Sequence, residues 1–341
     1  MHPTPQKLLE TLQAFHASAV LNAALQLDLF TPLARGPKTA AQVARALKCP
    51  ERSTGILLDA VAALGFLAKA DRRYRLDPEA AAFLLPSSPQ FAGATSRIVC
   101  DPVLWDAMGR FAQAVRHGGT VLPIHAESHN TKFWETFADH SHALASPPAD
   151  YAAHLLQRFL EERFPARVLD VACGSGVYGL TVAARCPGAK VTLLDHAPVL
   201  GAARKRAQQL GLTRRAEFVG GDMFAADLKG PFDVVILSQV LHHFAPPVCE
   251  QLLRKVAKSV APGGRLLVHE FVSDEDRATN VPAAMFAALM LAWTREGNTY
   301  TFSEYKRMFG RAGFLPPVLH APPRMATQFL VAEIRKGRGR R

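Results

Sequence analysis

No apolar run reaches the ~18 residues of a membrane span. The most apolar stretch, Val281 to Trp293, has a proline at its second position and runs into Thr-Arg-Glu. The opening residues, Met-His-Pro-Thr-Pro-Gln-Lys, lack the apolar core of a secretory signal, so the expectation is a soluble, cytoplasmic protein. No Cys-x-x-Cys occurs. The five cysteines, Cys49, Cys100, Cys173, Cys186 and Cys249, are odd in number and scattered, which suits reduced thiols and not a disulfide framework or a zinc site. Repeats and low-complexity tracts are missing as well. Acidic residues are the scarcer sign, 29 against 40 Lys and Arg, for a net charge of +11. Five of the positive charges, Arg335, Lys336, Arg338, Arg340 and Arg341, form a C-terminal tail. Without them 35 basic residues face 29 acidic ones, a net +6, which is ordinary and makes no case for a nucleic-acid surface.

What is present is a globular composition, 49% hydrophobic and 20% charged, on 341 residues, more than one core usually organises. Residues 1–95 read as helices followed by a small hairpin. Leu8, Leu12, Phe15, Ala19 and Ala23 recur at helical spacing. Thr39 is placed to cap a helix to Leu47, and Arg52 to Leu64 forms a second one, ended by Gly65. Phe66–Ala68 and Arg73–Leu76 read as the strands of a wing. This shape reads DNA in some proteins and builds dimers in others. Residues 96–165 read as a helical connector, with a loop at 117–120 and an interruption at Pro147-Pro148. From Arg167 strands and helices alternate. Strands are expected at 167–172, 190–195, 216–220, 232–238, 264–271, 317–321 and 327–334, and helices at 177–185, 198–210 and 248–260. That order predicts an α/β, doubly wound, Rossmann-like and mostly parallel sheet. Its last two strands, joined by only 322–326, must be antiparallel neighbours.

The first of these strands runs into Asp170-Val-Ala-Cys-Gly174-Ser-Gly176-Val-Tyr-Gly179, with Asp195 closing the next strand. Gly174-x-Gly176-x-x-Gly179 alone is also a dinucleotide fingerprint. Asp170 discriminates. Beside a pyrophosphate its carboxylate is repelled by ~3 kcal/mol at ~6 Å and an effective dielectric of ~20, whereas a cofactor with an amino group and a sulfonium is attracted. After the third strand come Gly221, Asp222, Met223 and Phe224: an acid to accept from an adenine amino group, and two apolar faces for the ring.

On these residues, together with Leu241-His242-His243-Phe244, the chain resembles class I S-adenosylmethionine-dependent methyltransferases. More specifically, it is similar to the two-domain small-molecule O-methyltransferases of secondary metabolism, whose winged-helix domain dimerises. The resemblance covers nearly the whole chain. It implies S-adenosyl-L-methionine held by Asp170, Gly174, Gly176, Asp195, Asp222, Met223 and Ser238, with no metal. It implies a homodimer whose partner helices help close the pocket, and a small, largely apolar, aromatic acceptor methylated at a hydroxyl oxygen. A carbon, nitrogen, sulfur or carboxylate acceptor is the alternative within the fold. An NAD-dependent oxidoreductase and a ligand-binding winged-helix regulator are the alternatives outside it. One departure lies in the glycine motif, where Ala172 takes the place of the family's first glycine.

By the same resemblance His242 occupies the position of the general base, His243 falls where an aspartate is commoner, and Glu270 corresponds to the acid that orients the base. An imidazole suits deprotonation of a phenol near neutral pH. His269 and Glu270 are neighbours on a strand and should face opposite sides. The family's plant members place a second glutamate beside the base; Thr299 stands there. The helix after the fifth strand, with Met285, Phe286, Leu289, Met290 and Trp293, lines the acceptor site in that family, and Phe137 matches another pocket aromatic. Asp139-His140-Ser141-His142 invites a metal reading but lacks a further ligand at convincing spacing.

Overall fold

The computed structural model describes residues 4–128 and 130–335. The basic tail read from the sequence lies outside the described residues except for Arg335. The chain divides into two compact units, Met1–Asp101 and Pro102–Arg341. Among the described residues no helix is long and apolar enough to cross a membrane.

In the first unit, α1 (Pro5–Gln13) and α2 (Phe15–Gln26) break the expected single N-terminal helix at Ala14. A short strand that the sequence did not suggest, β1 (Lys38–Thr39), leads into α3 (Ala40–Leu47) and α4 (Glu51–Ala63). Thr39 caps α3 in a reciprocal box: its hydroxyl accepts from the Gln42 amide, and the Gln42 side chain accepts from the Thr39 amide. Gly65 follows α4 at φ +84°, the left-handed turn that ends it. The wing is β2 (Leu67–Ala70) and β3 (Arg73–Leu76), and the sheet order is β1-β3-β2, antiparallel throughout. Two helices, α5 (Pro78–Leu84) and α6 (Ser96–Val99), complete the unit. Its core gathers Leu29, Phe30, Val43, Leu58, Val61 and Tyr74.

The second unit opens with α7 (Pro102–Gly109), α8 (Phe111–His117), α9 (Lys132–His140) and α10 (His142–Glu161). Here one expectation fails: Pro147 and Pro148 lie inside α10 and do not interrupt it. An interior proline costs ~3 kcal/mol. The same helix buries Ala149, Ala152, Ala153, Leu156 and Leu160 completely or nearly so, and burial of a leucine alone is worth ~1.5–3 kcal/mol. Packing wins over propensity.

Strand and helix then alternate as β4 (Ala166–Val171), α11 (Val177–Arg185), β5 (Ala189–Asp195), α12 (Leu200–Gln209), β6 (Ala216–Gly220), β7 (Phe232–Ser238), α13 (Pro246–Ala257) and β8 (Val260–Glu270). A two-residue strand β9 (Val272–Ser273) precedes α14 (Val281–Trp293). After β10 (Tyr300–Thr301) come α15 (Phe302–Ala312), β11 (Val318–His320) and β12 (Gln328–Glu333). The main sheet has the order β11-β12-β8-β7-β4-β5-β6. β4 to β8 are parallel, and β12 runs antiparallel to both β8 and β11. The order reverses between β4 and β7, so a crevice opens at the carboxyl ends of those strands, where ligands bind in such sheets. One apolar core fills each face of the sheet. β9 and β10 form a separate parallel pair that tethers the ends of the segment carrying α14.

Candidate active site

The carboxyl ends of β4, β5 and β6 bring three acids to one rim. Asp170 ends β4 with 1% of its surface exposed, and its Oδ2 accepts from the Gly179 amide of α11 at 2.8 Å. Burial, with Asp195 nearby adding to it, pushes its pKa up to about 7. A buried carboxyl with one hydrogen bond and no cation is a group short of a positive partner. The glycine turn that follows is left-handed at Ala172 (φ 54°), Gly174 (φ 55°) and Gly176 (φ 68°). Ala172 therefore adopts the conformation a glycine would take without strain, which explains why the turn survives the departure and at what cost. Asp195 is fixed at the end of β5: Oδ2 accepts from the Gly174 amide at 2.8 Å and Oδ1 from the His196 amide at 2.7 Å. Burial raises its pKa. Beyond β6, Asp222 is exposed and turns the chain, its Oδ1 accepting from the amides of Phe224 (2.6 Å) and Ala225 (3.3 Å). Met223 and Phe224 lie half-buried against the core on that side. The donor set thus fits a ligand with a cationic amino-acid end and a ribose with an adenine.

The opposite half of the site hangs from β7 and β8. After Ser238, Gln239 takes a left-handed φ of 57° and starts a tight turn that carries His242 and His243. Glu270, wholly buried at the end of β8, holds this turn. Its Oε1 accepts from the amides of Val240 (2.9 Å) and Leu241 (2.8 Å), and its Oε2 lies 2.6 Å from His242 Nδ1. That pairing assigns the Nδ1 proton to the glutamate side and leaves Nε2 without a partner among the described residues. His269 faces the other way, as strand alternation requires, toward Tyr178 and Phe329.

Around the two histidines stand aromatic rings. Phe286 meets His242 edge-on at 4.8 Å and stacks on Phe271 at 4.1 Å. Trp134 meets His243 edge-on at 5.3 Å, and Trp293 lies 6.1 Å from the same ring. Phe133 and Phe137 extend the group. Met290 and Trp293 are buried in this cluster, whereas Met285 is 62% exposed and turned out of it. Met285 and Phe286 are one helical step apart and do not share a face. His243 is buried in place of the commoner aspartate. Its Nδ1 has no hydrogen-bond partner among the described residues, and burial beside His242 holds its pKa well below the ordinary value, so the ring is neutral. Thr299 is fully buried, its hydroxyl shared with Ser273 (2.7 Å) and the Ala283 carbonyl (3.3 Å), and supplies no charge. His142 bonds to Ser146 and Arg206, and no group of three or more metal-ligating side chains occurs among the described residues.

Trp134, Phe271, Tyr178 and Thr327 were not singled out from the sequence. Trp134 lies three residues before Phe137 in the chain, and helical spacing alone does not tell which of the two meets the histidines.

Three acids at the ends of β4, β5 and β6 and a buried histidine–glutamate pair after β7 and at the end of β8 thus share the carboxyl edge of one sheet. Residues 127–315 match the family model of the O-methyltransferase domain, and residues 9–86 match that of the O-methyltransferase dimerisation domain. Acetylserotonin O-methyltransferase of Mus musculus is 31% identical over 90% of this chain and 83% of its own. The 3-hydroxy-5-methyl-1-naphthoate 3-O-methyltransferase of Streptomyces sahachiroi is 29% identical over 91% and 89%. The solved structure of human N-acetylserotonin methyltransferase in complex with SAM superposes with a TM-score of 0.85 at 25% identity, covering 98% of this chain and 99% of that one. The chain belongs to the O-methyltransferase family and is an S-adenosyl-L-methionine-dependent methyltransferase.

Proposed function

We propose that this enzyme methylates a phenolic hydroxyl on a small aromatic acceptor, with His242 as general base and Glu270 as the residue that orients it. The observation that carries the reading is the buried His242–Glu270 pair, with Phe286 against His242 and Trp134 and Trp293 against the neighbouring His243. Asp170, Gly174, Gly176, Asp195, Asp222, Met223 and Ser238 would hold the methyl donor. When bound, S-adenosyl-L-methionine supplies an electrophilic methyl group on a positively charged sulfur.

His242 Nε2 takes the proton of the acceptor hydroxyl. Glu270 keeps the ring in the tautomer that leaves Nε2 free and offsets the charge that forms on it. The aromatic walls position a flat ring and exclude water, which keeps the base from being solvated. Phe286 and Trp293 are the contacts this reading assigns to the acceptor on α14, with Trp134 and Phe137 opposite; Met290 packs behind them. Because Thr299 adds no second acid, the machinery favours a phenol over a less acidic aliphatic alcohol. The acceptors named for two relatives, a naphthoate and acetylserotonin, are aromatic in the same sense.

The acting species in this reading is a homodimer. The apolar side of α1 supports it: none of its residues is buried, and Leu8, Leu9 and Leu12 are 60%, 52% and 62% exposed. No disulfide joins the cysteines among the described residues, which suits a reducing cytoplasm. The test is product analysis by mass spectrometry with a panel of phenols, amines, thiols and carboxylates. Methyl ethers from phenols, lost in His242→Ala, are expected. Methylation confined to nitrogen, sulfur or carbon, or full turnover without His242, overturns the proposal.

A further inference from the structure

His269 and Glu270 close the same strand and turn to opposite faces. Glu270 fixes the turn that bears the base. His269 makes an equally dense set of contacts on the other side, which the reaction so far leaves unused. Its Nδ1 lies 2.7 Å from the Tyr178 hydroxyl, and its Nε2 lies 2.7 Å from Thr327 Oγ1. Ser238 Oγ and the Gln239 amide nitrogen approach Nδ1 at 3.5 Å, and the His269 carbonyl accepts from the Gln239 backbone at 2.9 Å. Phe329 stacks on the ring at 4.4 Å.

Tyr178 sits in the first turn of α11, two residues beyond Gly176 and next to Gly179, whose amide holds Asp170. Ser238 and Gln239 begin the turn that carries His242. One side chain thus ties the helix of the glycine loop to the turn of the base. We propose that His269 is a positioning residue for the methyl-donor half of the site, holding Tyr178 and the glycine loop in register with the Ser238–Gln239 turn.

A histidine suits this work. The ring is 3% exposed, and burial, with His242 nearby, depresses its pKa to about 3, so it is uncharged and offers one donor and one acceptor. The two hydroxyls it bridges serve in either sense. Phenylalanine would keep the stacking but take from the buried Tyr178 hydroxyl its bond to the ring, leaving Ser238 as its remaining partner, at a cost that falls on the placement of α11.

The inference rests on the methyltransferase reading, and the experiment separates the two. Calorimetric titration with S-adenosylhomocysteine is run on wild type, His269→Phe, Tyr178→Phe and the double variant, beside kcat and KM for both substrates. Binding by the wild type checks the donor site itself. Given that, His269→Phe and Tyr178→Phe are each expected to weaken S-adenosylhomocysteine about tenfold, as loss of a buried hydrogen bond does. The double variant should be little worse than His269→Phe alone, because that substitution already breaks the contact that Tyr178→Phe removes. KM for the donor rises with affinity loss, while kcat at saturation falls no more than about threefold. His269→Gln, which keeps a donor and an acceptor, restores most of the affinity. If folded Tyr178→Phe and His269→Phe bind S-adenosylhomocysteine as the wild type does, or if only kcat falls, the inference is overturned. Tyr178→Phe removes a single oxygen and keeps the test open should His269→Phe not fold.

Discussion

Glu270 Oε2 lies 2.6 Å from His242 Nδ1, while Oε1 of the same carboxylate accepts from the amides of Val240 and Leu241. One buried side chain therefore sets both the position of the His242 ring and the direction of its Nε2. The two functions separate on mutation. His242→Ala is expected to lower kcat toward a phenol by at least ~10²-fold with S-adenosylhomocysteine affinity changed less than about twofold, read by steady-state kinetics and calorimetry. Glu270→Gln keeps acceptors for the turn amides and should lose activity with little loss of stability. Glu270→Ala leaves those amides buried and unpaired and should lower stability by about 2–3 kcal/mol as well, measured by urea denaturation.

Donor binding should depend on pH through Asp170. Its carboxyl is half protonated near pH 7 in the free enzyme, and a cationic ligand prefers it ionised. Binding therefore expels a proton. Affinity for S-adenosylhomocysteine is expected to rise from pH 5.5 through pH 7 and level off above, and proton release should be seen in calorimetry in buffers of different ionisation enthalpy. Asp170→Asn flattens the profile and weakens binding. A profile in the wild type as flat as in Asp170→Asn counts against the carboxyl.

The same shift has a stability consequence of definite sign. Asp170 has its folded pKa raised, from 3.8 to about 7, so between those values the folded chain holds a proton that the unfolded chain releases. Its contribution is fully present below pH 4 and is lost as pH rises to about 7. Asp170→Asn should remove this slope from thermal midpoints recorded between pH 5 and 8.

Ala172 and Gly176 make an opposed pair. Ala172→Gly relieves a left-handed alanine, and the gain, net of backbone entropy, is about 0.5–1 kcal/mol, a rise of about 2 °C in the midpoint. Gly176→Ala adds strain at φ 68°, and its Cβ would meet Leu180, Leu193 and Ala203 at 3.2–3.3 Å, so it should lower stability and donor affinity together. Differential scanning calorimetry checks both.

Leu8 and Leu12, exposed on α1, should be buried between subunits. The double variant Leu8→Glu, Leu12→Glu is expected to elute as a monomer in light-scattering chromatography, whereas wild type elutes at twice the chain mass. A dimer that survives both charges removes α1 from the interface.

Much of this protein is local in its sequence. Short apolar strands between helices required a parallel sheet, the 322–326 connection forced an antiparallel pair, and the acid–glycine–acid–acid order put three carboxylates at neighbouring strand ends, because each of these rests on periodicity or on residues adjacent in the chain. Tertiary structure decided what depends on distant partners. Residue order could not tell that α10 absorbs two prolines, since the packing energy of its buried face comes from α11 and the core the two helices share. Nor could it tell that Trp134, His243 and Trp293 meet, or that Met285 turns away while Phe286 covers His242. The strand rule separated His269 from Glu270, but only the fold supplied Tyr178 and Thr327 to the imidazole, because hydrogen bonds between residues more than fifty positions apart leave no pattern in the chain.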